Sequence, residues 1–161
     1  MPRKKLPYKE GDWFAVPLRS TGYAIGLIAR TNCKGIGIGY FFGPKSDSVP
    51  SLGLANAKAP SDALLVAKFG DLGLLEGRWK VLGRLQSWKR QDWPIPVFVR
   101  TDLISGVYHK VVYSEDNLLT EIELLPCSAK EASELPKDGT SGDGAVELKL
   151  TKLLYQTTQA E

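Results

Sequence analysis

Gly35-Ile-Gly-Ile-Gly-Tyr-Phe-Phe-Gly43 is the stretch whose reading decides the fold. Side chains alternate across a β-strand, so Ile36, Ile38 and Tyr40 share one face and Gly35, Gly37 and Gly39 the other. A strand face of bare backbone lets another element, often an aromatic ring, approach closely. The stretch therefore predicts a central, bent strand in a curved sheet.

Working outward, Asp12-Trp-Phe-Ala-Val-Pro-Leu18 and Tyr23-Ala-Ile-Gly-Leu-Ile-Ala-Arg30 flank Ser20-Thr21-Gly22. Turn chemistry between two apolar runs predicts a β-hairpin. Pro17 has no N–H for a ladder, so that end belongs at a sheet edge or bulge. Downstream, residues 44–60 are rich in Pro, Ser and Gly and read as a loop. Ser61-Asp62 resembles an N-cap, and Leu65, Val66 and Phe69 recur at helical spacing, predicting a short helix over 61–69. Further strands are expected over 78–85, 96–101, 107–113 and 120–126. Residues 128–144 are polar and Gly-rich and read as a flexible loop. Ala145-Val-Glu-Leu-Lys-Leu-Thr151 alternates and predicts a final strand. The expectation is α+β, mainly antiparallel β: a strongly curved sheet or partly open barrel with one short helix. One domain spans 1–161, with its core at about 8–154, a flexible N-terminus and a frayed C-terminal tail.

Composition sets the outer limits. The chain has 161 residues, 43% hydrophobic and 24% charged, ordinary for a globular domain that needs no staple. Its two cysteines, Cys33 and Cys127, are too few for a disulfide scaffold and are expected reduced and partly buried. No apolar h-region follows the basic start, and no run reaches the roughly 18 apolar residues of a membrane span. Cytoplasm is the expected compartment. The net charge of +3 conceals an asymmetry. Residues 1–113 hold 17 Lys and Arg against 8 Asp and Glu, whereas 114–147 hold 2 against 9. Two readings of this dipole stand: it steers a charged partner, or the acidic block pairs with the basic part on folding.

Catalytic patterns are sparse. One histidine, His109, falls in a predicted strand, and neither cysteine has a Cys-x-x-Cys partner, so no metal site or cofactor is expected. There is no Gly-x-Ser-x-Gly elbow. Cys33 beside Lys34, together with His109 and Asp12, gives the only candidates for nucleophilic chemistry, since a positive neighbour lowers a thiol pKa. The glycine run fails as a dinucleotide loop because Tyr40 stands where the third glycine is needed and no helix follows.

Binding patterns are stronger. Trp88-Lys-Arg-Gln-Asp-Trp93 mixes aromatic and basic residues. It reads either as an interface patch of Trp88, Lys89, Arg90 and Trp93, or as two tryptophans covering the core beside solvated cations. Stacking on single-stranded nucleic acid is a third possibility, weakened by the acidic block, which repels phosphates. Glu115, Asp116, Glu121 and Glu123 form a second candidate patch, with Glu121 and Glu123 expected on one strand face. Solvation of a half-exposed sheet is the plainer explanation of these carboxylates.

Several segments taken together resemble one family: Gly11-Asp-Trp-Phe-Ala-Val-Pro-Leu18, Tyr23-Ala-Ile-Gly-Leu27, Gly35 to Gly43, Gly77-Arg-Trp-Lys-Val-Leu-Gly83 and Gly142-Asp-Gly-Ala-Val-Glu-Leu-Lys-Leu150. The chain resembles the bacterial immunity protein 26 family from about Tyr8 to Leu154. That resemblance implies a cytosolic protein that binds and blocks a toxin delivered by a competing or sister cell. The family is also labelled as including small HocA-type phosphotriesterases, which implies hydrolysis of organophosphate triesters. Familiar enzymes of that activity use a histidine-rich two-metal site, which His109 alone cannot build. The leading expectation is a protein-binding module with a toxin as partner, no membrane contact and nucleic acid unlikely. The rival is a small hydrolase.

Overall fold

The computed structural model describes residues 5–160; the N-terminal residues 1–4, expected to be flexible, lie outside them. Two β-sheets carry the architecture. The larger contains β1 (Asp12–Pro17), β2 (Tyr23–Thr31), β3 (Ile36–Ser46), β4 (Leu65–Gly70), β5 (Lys80–Arg84) and β9 (Thr140–Ser141), in the order β5-β1-β2-β3-β4-β9. The smaller contains β6 (Phe98–Thr101), β7 (Tyr108–Tyr113) and β8 (Glu121–Cys127), in chain order. The strand pairings are antiparallel except β4 with β9, and a single parallel bridge joins Val99 of β6 to Lys137. Among the described residues three α-helices complete the fold: α1 (Leu72–Leu75), α2 (Ala129–Glu134) and α3 (Asp143–Ala160).

The large sheet is covered on both faces. One face joins the small sheet in a core of Trp13, Leu27, Ile38, Tyr40, Phe42, Phe98 and Val111. The other packs Phe14, Phe41, Phe69, Trp79, Val146 and Leu150 beneath α3. This double covering explains why β2 is buried without interruption from Ala24 to Arg30, since a strand buried on both sides loses its alternation. On β3 the glycines do what the sequence suggested. A Cβ on Gly39 would lie 2.7 Å from the Phe41 ring and 3.0 Å from Phe69, and one on Gly37 would lie 3.0 Å from Phe69.

The predicted hairpin is β1–β2, closed by Leu18 N–H donating to Gly22 O at 2.9 Å. Pro17 sits past the reach of β5, which pairs only with Asp12–Ala15, so its missing donor costs nothing.

Several expectations need correction. The mainly antiparallel β architecture stands, but it is divided into two sheets and the large one is not closed into a barrel; in place of one short helix there are three helices among the described residues. The expected 61–69 helix is a short 3₁₀ turn at Pro60–Asp62 followed by strand β4. Leu65 and Phe69 face one core and Val66 the other, an alternation that outweighs the chance helical spacing. The expected 145–151 strand is part of α3, whose buried residues Val146, Glu147, Leu150 and Leu154 follow a helical period. That helix runs to Ala160 where a frayed tail was expected. Residues 128–144, read as a loop, contain α2 and β9; Ser128 and Glu131 form a capping box at the start of α2.

Candidate partner-binding surface

The Trp88–Trp93 loop divides its residues between core and surface. Trp93 is buried, edge-on to Trp13 at 5.8 Å and to Tyr40 at 5.2 Å. Trp88 is half-buried against the same core. The aromatic half of the predicted patch is thus spent on packing, and no pair of free rings is left for bases to stack on. Lys89 and Arg90 remain exposed.

A residue the sequence reading missed holds this loop in place. Arg30, at the end of β2, is 3% exposed. Its Nη1 donates to Trp93 O at 2.9 Å and to Ala29 O at 2.7 Å. Its Nε donates to Glu115 Oε2 at 2.8 Å. Arg90 in turn reaches the same Glu115 oxygen at 3.5 Å and donates to Glu10 at 3.0 Å. The Arg30 guanidinium beside Glu115 holds that carboxyl below its ordinary range, with Arg90 adding to the effect. The two patches expected separately therefore meet, and the structure joins Arg90 to Glu115 in one charged surface with Asp116 exposed beside it.

Glu121 and Glu123 do not share a row. A register shift between Val112 and Tyr113 sets Glu123 opposite Val112 and Glu121 opposite Tyr113. Adjacent residues point to opposite faces, so the bulge separates the two carboxylates. Glu121 takes Arg100 as its partner. Glu123 has no cation within ion-pair distance among the described residues.

The acidic block largely pairs with the basic part, as one of the two charge readings expected. Glu115, Glu121, Glu131, Asp138, Asp143 and Glu147 all meet cations from residues 1–113. One junction, Asp138, lies between the sheets. It accepts from Arg100 at 2.7 Å and from the Tyr113 hydroxyl, and lies 3.7 Å from Lys68 Nζ. Burial pushes Lys68 down and Tyr113 up to about 12. Lys68 could have been found as the one charge in an inward strand pattern, had 65–70 been read as a strand.

The residues named for chemistry are dispersed. Asp12 is buried and accepts from Lys9 N at 3.0 Å. Cys33 is exposed in the β2–β3 turn at φ 58°, correcting the expectation of a partly buried thiol. Both border a cavity of about 700 Å³ with Tyr8 and Lys9. His109 is on the other sheet, half-buried on β7 between Arg100 and Pro126. The Cys33–His109–Asp12 set is therefore not assembled. Cys127 on β8 is likewise a free thiol. No group of three or more His, Cys, Asp or Glu among the described residues is arranged to hold a metal. No helix among them is long and apolar enough to cross a membrane.

Comparison with known proteins gives one match. The family model described as Immunity protein 26 matches residues 9–110. The match ends on β7, short of the Gly142–Leu150 segment included in the resemblance, and carries no phosphotriesterase description. No curated protein and no solved structure matches.

Proposed function

The chain belongs to the immunity protein 26 family, and from that premise we propose that it neutralises a toxin protein by covering the toxin's working surface in the cytoplasm of the producing cell. The observation that carries the proposal is the junction of Arg90 with Glu115, held from below by buried Arg30. A charged surface fixed before binding loses little side-chain entropy on association. Arginine is also a common anchor at interface centres. The exposed contacts would be Lys89, Arg90, Glu115, Asp116 and Glu123, with Trp88 at the margin. Trp93 supports them through the core, whereas Glu121 is taken up by Arg100.

A stable blocking complex covers roughly 1,600 Å² in total, so this cluster would form the centre of a larger footprint. The unpaired acids Asp116 and Glu123 suit a toxin with a basic face, whose approach they would accelerate. The test is co-expression with the product of the neighbouring gene. Growth rescue with a co-purifying complex, and loss of both in an Arg90→Glu, Glu115→Lys variant that remains folded, is the expected result. Absence of toxicity and of any complex would overturn the reading.

A further inference from the structure

The edge of the large sheet beyond β3 is only half covered. β9 pairs with β4 at Lys68 and Phe69 and nowhere else. Upstream of β9 the chain leaves β4 and pairs with β6 instead: Val99 N–H donates to Pro136 O, and Asp138 N–H to Val99 O, both at 2.8 Å. Leu65, Val66 and Ala67 are paired with β3 on one side and have no strand on the other among the described residues. The wedge that opens there is a cavity of about 790 Å³, within the range of known ligand sites, roughly 300–1,000 Å³. Its second wall is α3, which presents Lys149 and Lys152 to the groove, and Lys137 comes from the strap leading to β9.

We propose that this groove binds an extended segment of a partner polypeptide, added as a strand to the free edge of β4 and carrying carboxylates at alternate positions. The backbone argument is that alternate N–H and C=O groups of a strand point sideways, and unpaired ones take a further strand. A groove between a strand edge and a helix also gives the incoming side chains somewhere to go, alternately toward the helix and away from it. The charge argument fixes which side chains those are. Lys137, Lys149 and Lys152 are exposed, and none has an ion-pair partner among the described residues. Lys149 donates to Ser141 Oγ at 2.9 Å, which keeps its ammonium at the mouth of the wedge. On the acidic side, Asp138 is already engaged by Arg100, Lys68 and Tyr113, leaving Glu134 as the one uncommitted carboxylate of the lining. Leu65 and Leu135 supply apolar surface for the intervening residues.

The site differs in position and sign from the proposed toxin-binding surface and stands whether or not that reading holds. The test uses the full isotope-labelled chain and a capped seven-residue peptide alternating Glu and Val. Amide NMR is expected to shift Leu65, Val66 and Ala67 together with Lys149 and Lys152. The Lys149→Glu, Lys152→Glu variant alters only exposed side chains, so it should fold, and it should bind this peptide about tenfold more weakly. The same peptide N-methylated at alternate residues should not bind, because its bonding edge is blocked. Equal binding of a Lys–Val peptide, retention by the N-methylated form, shifts centred elsewhere, or no shift at millimolar peptide would each overturn the proposal.

Discussion

The ammonium of Lys68 lies 3.7 Å from the centre of the Tyr113 ring. Lys68 belongs to β4 and Tyr113 to β7, so this contact ties the two sheets together, and Asp138 completes it. Removing one member of a buried pair leaves the other charge stranded, at about 3–5 kcal/mol. The two ends of this pair are not equivalent. Lys68→Met leaves Asp138 with Arg100 and Tyr113, whereas Asp138→Asn strips the carboxylate from both Lys68 and Arg100. Asp138→Asn is expected to cost about 3 kcal/mol, and Lys68→Met less, about 1–2 kcal/mol. Urea denaturation of the two variants checks the order; the reverse order would mean that Lys68 is the centre of the network.

The same cluster predicts a pH dependence at both ends. Burial pushes the Asp138 carboxyl up, but the Tyr113 hydroxyl, Arg100 and Lys68 more than offset it and leave it below its ordinary range. A lowered carboxyl pKa contributes stability above the unfolded value, near 4, that is lost as pH falls through the folded one. Tyr113 is raised to about 12, first by burial and then by its bond to Asp138. Its contribution is complete below about pH 10 and is lost as pH rises toward 12. Burial lowers Lys68, so its contribution has the opposite alkaline sign. Urea midpoints measured from pH 2 to 5 should fall more steeply in the wild type than in Asp138→Asn. From pH 9 to 11.5 the wild type should lose stability that Tyr113→Phe keeps. Parallel curves in either range would remove that group from the linkage.

What the sequence revealed and what it hid divide along one physical line. Gly37 and Gly39 were legible because only close packing explains a bare strand face, and Phe41 and Phe69 fill that space. β4 and α3 were not legible because short apolar runs fit periods of 2 and 3.6 alike. In β4 the deciding neighbour is Tyr113, 45 positions away, which accepts Lys68 into the interior. In α3 it is Trp79, whose Nε1 donates to Glu147 at 2.8 Å and makes an acid an inward residue. The charged surface was half legible. Arg90 and Glu115 were named, but Arg30, which joins them, was hidden at the end of an apolar strand.

Gly39 offers a direct test of the close packing on β3. An added methyl would come within 2.7 Å of the Phe41 ring, and Phe69 closes the other side at 3.0 Å. Both rings are fully buried and have little room to retreat. Gly39→Ala is therefore expected to cost about 1–3 kcal/mol from overpacking. Gly53→Ala, whose nearest neighbour would be Ser51 at 3.7 Å, serves as the control and should stay within about 0.5 kcal/mol. Equal stability of the two variants would mean the rings yield.

If the acids on the proposed contact surface steer the toxin, the ones that matter are those without a partner of their own. Asp116 and Glu123 are exposed and lack an ion pair among the described residues, whereas Arg100 screens Glu121. The Asp116→Lys, Glu123→Lys variant should slow association with the co-purified toxin about tenfold at low salt and flatten its salt dependence. Glu121→Gln should change the on-rate far less. Stopped-flow association at two ionic strengths makes the comparison, and an on-rate unchanged in the double variant would remove these two acids from the contact.

α3 presents the clearest contrast between two readings of one segment. A strand would place Val146, Leu148 and Leu150 on the same buried face. The helix buries Val146 and Leu150 completely and leaves Leu148 47% exposed. Leu150 packs in the core of Phe14, Phe41, Phe69 and Trp79, and truncating a buried leucine costs about 2–5 kcal/mol through lost burial and the cavity left behind. Leu150→Ala should therefore lower stability by that amount, and Leu148→Ala by no more than about 0.5 kcal/mol. The Trp79–Glu147 bond predicts a third member of the series. Glu147→Gln keeps an acceptor for Trp79 but removes the charge that Arg78 and Arg19 share, so its cost should fall between the two leucine variants. Thermal or urea unfolding of the three decides the matter. Similar losses at Leu148 and Leu150 would restore the alternating pattern and displace the helix.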